Sequence, residues 1–204
     1  MTLPKLNKSV IVFDTEFLIK TIKNNHDFYA EEYPRHTFKD INILNIIRSI
    51  ALTSDAISGE EIVYVIFFYK LNNSQIPFSS EPNDVFIFND FVNRPLGCKM
   101  EDCIFHFASF YADPEANQDW QYKEEFCQLL KSISSKQATS NISIVADDTF
   151  FEDTLQELDY LYNKKFIIYR STDTEMYHPE PPKFWNVNFD YIIANEMGVQ
   201  EDEI

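Results

Sequence analysis

Two short apolar runs that each end in an aspartate constrain this chain more than any other feature. Residues 9–14 read SVIVFD, and residues 142–147 read ISIVAD. An apolar run without polar alternation is typical of a strand that is covered on both faces, as in the interior of a parallel sheet. The sequence therefore predicts two buried parallel strands with Asp14 and Asp147 at their carboxyl ends.

The rest of the chain alternates between strand and helix patterns. The patterns predict strands at 62–71, 84–92, 102–110 and 165–169, helices at 38–52, 119–134, 150–161 and 188–197, and a loop at 24–33. Residues 17–19, directly after the first strand, predict the start of a further helix. This alternation indicates an α/β fold with a three-layer, mainly parallel, doubly wound sheet of the Rossmann-like kind. For the strands predicted at 84–92 and 102–110, the alternative is a hairpin inserted into the fold. We expect residues 1–170 to form the domain and residues 171–204 an irregular C-terminal extension with a short helix that packs on it.

Composition excludes several classes of protein. The net charge of −16 disfavours broad binding to nucleic acids or to anionic membranes. Three glycines in 204 residues leave no Gly-rich phosphate loop, dinucleotide fingerprint or hydrolase elbow. Three cysteines, an odd number, without a signal peptide predict a cytoplasmic protein. The longest apolar run, 62–69, is too short to span a bilayer, so no membrane is expected as a partner.

The two strand-terminal aspartates suggest a metal site. On neighbouring strands their carboxylates would lie ~5–10 Å apart, and two such charges repel unless a cation or proton separates them. Mg²⁺ and Mn²⁺ prefer oxygen ligands, and a metal-activated water attacks phosphodiesters. The alternative is structural, because an aspartate after a strand often caps the next helix, as Asp147 or Asp148 would for a helix near residue 149.

Both aspartates also lie in segments that resemble a known family. Residues 14–19, DTEFLI, follow the strand VIVF and resemble the opening motif of PIN-like nuclease domains, in which Asp-Thr precedes an Asn and apolar residues. Residues 144–150, IVADDTF, resemble the later motif of that family: a strand, an Asp, two residues and a Phe. The helix and strand down to residue 169 are similar to the NYN branch of the family.

The resemblance implies a PIN/NYN-like fold and an Mg²⁺- or Mn²⁺-dependent ribonuclease. Carried over to this sequence, it implies that Asp14 and Asp147 bind metal, with Asp148 and Glu16 in support. Asp113 is our choice for the middle acid of the catalytic group, and Glu124 and Glu125 are the alternatives. The sequence departs from the family at Glu16, where an Asn is usual, and at Thr149, where NYN members often have a second Asp.

Other interpretations remain beside the nuclease. Asp14 and Glu16 also resemble the nucleophile motif of haloacid-dehalogenase-like phosphatases, and Asp-Thr-Glu fits the opening of DEDD exonucleases. The acidic charge and the departures from the motifs favour a non-catalytic protein that binds a basic partner on a nuclease-like scaffold. We therefore expect an RNA-cleaving enzyme, with the acidic binding protein and the dehalogenase-type phosphatase as alternatives, and leave the oligomeric state open.

Overall fold

The computed structural model describes residues 8–54, 61–70, 98–100, 103–112, 119–147, 150–171 and 185–199. The strands are β1 (Ser9–Asp14), β2 (Glu61–Tyr69), β3 (Cys98–Met100), β4 (Cys103–Tyr111), β5 (Asn141–Val145), β6 (Lys165–Arg170) and β7 (Trp185–Asn188). The helices are α1 (Thr15–Glu32), α2 (Ile43–Thr53), α3 (Asp119–Ser134), α4 (Glu152–Tyr162) and α5 (Phe189–Met197).

The strands form one sheet in the order β3-β4-β2-β1-β5-β6-β7. Each pair from β4 to β7 is parallel, and β3 alone among the described strands pairs antiparallel, along the outer side of β4. The six parallel strands follow the 3-2-1-4-5-6 order of doubly wound folds. The predicted α/β class and parallel sheet are therefore confirmed.

Helices cover both faces of the sheet, which explains why the strand sequences are apolar without alternation. On one face, Ile11 and Phe13 pack in a core with α1, α2 and α5. On the other face, Val10 and Val12 pack in a second core with α3 and α4. Successive residues of β1 thus alternate between two buried surfaces rather than between core and solvent.

Three of the predicted elements have different outcomes. The loop predicted at 24–33 is wrong, because α1 continues to Glu32 and buries Asn25 and Tyr29 on the same side as Ile22. The strand predicted at 102–110 is β4, a parallel neighbour of β2, whereas the one predicted at 84–92 lies outside the described residues.

Strand β7 was not predicted at all. It pairs in parallel with β6 and leads directly into α5, whose buried residues join the first core. The expected short helix near the C-terminus is α5, and it lies against the sheet. The segment after residue 171 therefore supplies both a strand and a helix of the fold.

Candidate functional site at the carboxyl edge of the sheet

The connectivity reverses direction beside β1. From β1 the chain adds β2 and β4 on one side and then returns to add β5, β6 and β7 on the other. In open α/β sheets, the crevice outside the carboxyl ends of the strands at such a switch point is the usual ligand site. Asp14 ends β1 and Asp147 follows β5, so both aspartates flank this crevice.

The register brings these two positions close together. Phe13 pairs with Val145 in the parallel β1–β5 ladder, which places Asp14 and Asp147 within one residue of the same level. The paired residues Phe13 and Val145 lie one strand spacing apart, about 5 Å, and Asp147 follows two residues later, past the end of β5. We call the group formed by Asp14, Glu16 and Asp147 the acidic edge.

Asp14 has a structural role of its own. It is the N-cap of α1, and its Oδ1 accepts hydrogen bonds from the backbone N–H groups of Glu16 at 3.1 Å and Phe17 at 3.2 Å. Helix α1 begins immediately after β1, so its first N–H groups need an acceptor and the charge of Asp14 also complements the helix dipole. The capping alternative is thus realised at Asp14.

A third donor reaches the same oxygen from α3. The phenolic hydroxyl of Tyr122 lies 2.6 Å from Oδ1 of Asp14 and 3.2 Å from the carbonyl oxygen of Phe68. Asp14 pairs with Phe68 in the β1–β2 register and shares the face of Val10 and Val12, which is the face that α3 covers. Every hydrogen bond from a described residue to this carboxylate ends on Oδ1, and none ends on Oδ2.

Burial dominates the electrostatics of Asp14. Only 5% of the residue is exposed, and loss of hydration raises the pKa of its carboxyl group from 3.8 to about 6. The hydrogen bond from Tyr122 lowers this pKa, and the charge of Glu16 raises it. No described Lys, Arg or His forms an ion pair with Asp14. The buried carboxylate therefore lies in a place that favours an additional cation or a proton.

Two further oxygen groups belong to the start of α1. Glu16 is half-buried, and its charge acts on both Asp14 and Tyr122. Thr15 is fully buried, and its Oγ1 has no hydrogen-bond partner among the described residues. A buried hydroxyl usually has a partner, so this oxygen has unused capacity for a water or a ligand.

Lys70 places a positive charge beside the acidic edge. It follows β2, the other neighbour of β1, and its ammonium lies 5.0 Å from the centroid of the Tyr122 ring. The same ammonium binds Asp119 at the start of α3, with a distance of 2.9 Å between Nζ and Oδ1. This contact lowers the pKa of Asp119. Lys70 thereby connects the end of β2 to the helix that carries Tyr122.

A buried arginine lies on the far side of β5. Arg170 ends β6 and is 6% exposed, and its guanidinium donates to the side-chain oxygen of Asn186 on β7. Tyr169 of β6 pairs with Val145, the last residue of β5. Arg170 therefore lies at the level of Ala146, one residue before Asp147. The carboxyl ends of β2, β1, β5 and β6 thus carry positive, negative, negative and positive residues in that order.

The structure describes some of the other predicted site residues and not others. Asp147 is half-buried and does not cap α4, whose N-cap residue is Phe151 without a side-chain hydrogen bond. Asp113 and Asp148 lie outside the described residues. Glu124 and Glu125 lie on α3. Across the described part of the chain, no group of three or more His, Cys, Asp and Glu side chains is placed to hold a metal.

Tyr122 and Lys70 were not predicted from the sequence as residues of the site. The apolar stripe of α3 extends from Ile133 back through Phe126 to Tyr122, which is one helical turn earlier. A tyrosine at the end of such a stripe keeps a polar tip that needs a partner when it is buried, so the spacing contained a signal for Tyr122. For Lys70 the only signal was its position directly after a buried strand.

Comparison with family models, curated proteins and solved structures gave no match. Among the described helices, none has an apolar stretch long enough to cross a membrane.

Proposed function

We propose that this chain is a PIN/NYN-like, divalent-metal-dependent nuclease that acts on RNA at the acidic edge. The observation that supports the proposal is that Asp14 ends β1 and that Asp147 lies two residues after the neighbouring parallel strand β5, at the switch point of the sheet. The two aspartates are 133 positions apart in the chain, and their strand ends border the crevice where ligands of this fold class bind.

The side chains of the acidic edge offer a hard divalent cation suitable atoms, although among the described residues they do not form a group of three that is placed to hold a metal. Their donor atoms are carboxylate oxygens, which Mg²⁺ and Mn²⁺ prefer. Asp14 is buried, burial raises the pKa of its carboxyl group to about 6, and no described Lys, Arg or His forms an ion pair with it. Its Oδ2 and a carboxylate oxygen of Asp147 would hold the cation, with Asp148 and Glu16 in support. When bound, the cation supplies Lewis-acid activation of a water and of a phosphodiester.

The protein groups around this site have separate roles in the proposal. Tyr122 and the first turn of α1 fix Oδ1 of Asp14, so the carboxylate keeps one orientation. Lys70 lies at the end of the adjacent strand and is positioned to attract a phosphate that enters from that side. Asp113 stays a proposed member of the catalytic group, on the resemblance alone.

The test is cleavage of a labelled single-stranded RNA in Mn²⁺ or Mg²⁺, compared with EDTA. Asp147→Asn and Asp14→Asn should each abolish cleavage. Asp14→Asn should still fold, because Asn is as good an N-cap for α1 as Asp. Asp27→Asn is the control, since it removes the same charge from an exposed position of α1. Wild-type protein that neither cleaves RNA nor binds Mn²⁺ by calorimetry would refute the proposal.

One observation favours a second candidate. Oδ1 of Asp14 already serves the α1 cap and Tyr122, so Asp14 has a structural role that needs no metal. On this reading the chain is an acidic, non-catalytic protein that binds a basic partner. Absence of divalent binding together with a salt-sensitive complex with a basic protein from its native host would support it. Turnover of an aryl phosphate that depends on Asp14 would instead indicate the dehalogenase-type phosphatase.

A further inference from the structure

Lysines gather at the end of the sheet opposite the acidic edge. The carbonyl oxygen of Lys8 accepts hydrogen bonds from the backbone of Ser140 and Asn141 at the start of β5. The backbone N–H of Lys165 in turn donates to Ser140, at 2.9 Å. The amino ends of β1, β5 and β6 are thus held side by side, with a lysine at two of them.

Two more lysines belong to the same place. The ammonium of Lys164 donates to the carbonyl oxygens of Lys136 at 3.1 Å and of Thr139, in the loop between α3 and β5. We call Lys8, Lys136, Lys164 and Lys165 the lysine edge. The segments that form it, residues 8, 136–140 and 163–165, contain four lysines and no Asp or Glu. This composition contrasts with a chain whose net charge is −16.

Exposed aromatic residues adjoin the lysine edge. Tyr160 is 89% exposed and Tyr162 is 39% exposed, in the last turn of α4, with Leu161 exposed between them. Asn163 then adopts the left-handed conformation and turns the chain into Lys164 and Lys165. The last turn of α4, which leads to the lysine edge, therefore presents two tyrosine rings to solvent.

Lysines beside exposed aromatic rings match the way in which proteins bind single-stranded nucleic acid, where cations contact phosphates and rings stack on bases. We propose that the lysine edge, together with Tyr160 and Tyr162, binds single-stranded RNA. The choice of RNA as the ligand rests on the proposed nuclease function. The assignment of a binding surface rests on the lysines and the exposed rings. This surface offers a polyanionic substrate four lysines at the end of the sheet away from Asp14 and Asp147, although Asp159 precedes Tyr160 on α4 and Glu61 begins the adjacent strand β2.

The position of this surface also predicts how a substrate is held. Strand β1 has six residues, so the lysine edge and the acidic edge lie roughly 20 Å apart along the strand direction. An RNA bound at the lysine edge reaches the acidic edge only by passing over the outside of the domain. Cleavage should therefore favour RNAs long enough to contact both edges.

The experiment measures binding of a fluorescein-labelled oligouridine of about 20 nucleotides by anisotropy. It is done in EDTA, so that the result is independent of metal chemistry. For single strands each phosphate contact contributes about −0.7 to the slope of log K against log salt. Four lysines therefore predict a slope no steeper than about −3, and the variant Lys136→Gln with Lys165→Gln should make it shallower by up to about 1.4.

Tyr160→Ala should weaken binding about tenfold without a change in the slope, because stacking does not release counterions. The matched control is Lys20→Gln with Lys23→Gln, which removes two exposed lysines from α1 and should leave the slope unchanged. Lys164 is kept in all variants because its ammonium binds the α3–β5 loop. Circular dichroism checks that each variant is folded.

The inference is overturned if wild-type protein does not bind the oligouridine at low salt, or if both double variants weaken binding equally. It is also overturned if the lysine edge proves to hold a second copy, seen as salt-sensitive self-association that Lys136→Gln with Lys165→Gln abolishes in the absence of RNA. Binding in EDTA without cleavage in Mn²⁺ would refute the proposed nuclease function and support the RNA-binding surface. Cleavage that is insensitive to the lysine variants would support the nuclease function and refute the surface.

Discussion

The hydroxyl of Tyr122 lies 2.6 Å from Oδ1 of Asp14, which joins α3 to the end of β1 through a buried hydrogen bond. The acceptor also caps α1, so one carboxylate oxygen ties together a strand and the two helices that lie on opposite faces of the sheet. The orientation of the candidate metal ligand therefore depends on a residue 108 positions away in the chain.

Tyr122→Phe should destabilise the protein by about 1–3 kcal/mol at pH 8, because a buried carboxylate then loses a charge-assisted hydrogen bond. The same loss should raise the pKa of Asp14 further, since the bond from Tyr122 lowers it. Urea unfolding measures the effect, which should shrink at pH 4.5, where Asp14 is mostly protonated. Tyr160→Phe, on an exposed ring, is the control. Equal effects of the two substitutions would contradict the prediction.

The stability of the protein should depend on the titration of Asp14. Burial raises the pKa of Asp14 from 3.8 to about 6, so the folded protein holds this proton more tightly than the unfolded chain does. The resulting stabilisation is fully present below pH 3.8 and is lost as the pH rises through about 6. A difference of one in pKa corresponds to ~1.4 kcal/mol, so the loss amounts to about 3 kcal/mol.

Asp14→Asn removes this titration and keeps the cap. The free energy of unfolding of the variant, relative to that of wild type, should therefore increase by up to about 3 kcal/mol between pH 4 and pH 7.5. Urea titrations at several pH values measure this difference, and Asp27→Asn controls for the change in net charge. A difference that does not vary with pH would show that Asp14 is not the group responsible.

Mn²⁺ should stabilise the protein at neutral pH if the acidic edge binds it. At a concentration about 100 times the dissociation constant, the gain is about 2.7 kcal/mol, measured as a rise in melting temperature. Because the cation competes with the proton on Asp14, whose pKa is raised to about 6, affinity should be about tenfold lower at pH 5 than at pH 7. Asp147→Asn should remove the effect. A shift of the same size in this variant would place the cation elsewhere.

Gly198→Ala should destabilise the end of α5 by about 1–2 kcal/mol, because Gly198 has a φ of 81° in the left-handed region that ends the helix. An added Cβ would also lie 3.1 Å from the flexible end of Lys39. Gly198→Asn is the matched variant, since Asn tolerates this conformation better. A higher melting temperature for Gly198→Ala than for Gly198→Asn would show that the left-handed φ of Gly198 does not limit stability.

The sequence by itself determined the fold class and the positions of the two acids along the chain. The runs that end at Asp14 and Asp147 are almost entirely apolar, with Ser9 and Ser143 as the polar exceptions, and a local pattern of this kind is typical of a strand buried on both faces. The start of α1 was also readable, because Phe17 and Leu18 follow the strand directly. Its length was not, because residues 24–33 are polar and join the helix only by burying Asn25 and Tyr29.

Only the tertiary structure decided which strands are neighbours and what surrounds the carboxylates. The β1–β5 pairing depends on the crossover through α3, and the contact of Tyr122 with Asp14 depends on which face of the sheet that helix covers. The lysine edge likewise draws on segments more than 100 residues apart. Local periodicity reports whether a residue is buried, whereas the partner that it meets there is fixed by chain topology, which is a property of the whole fold.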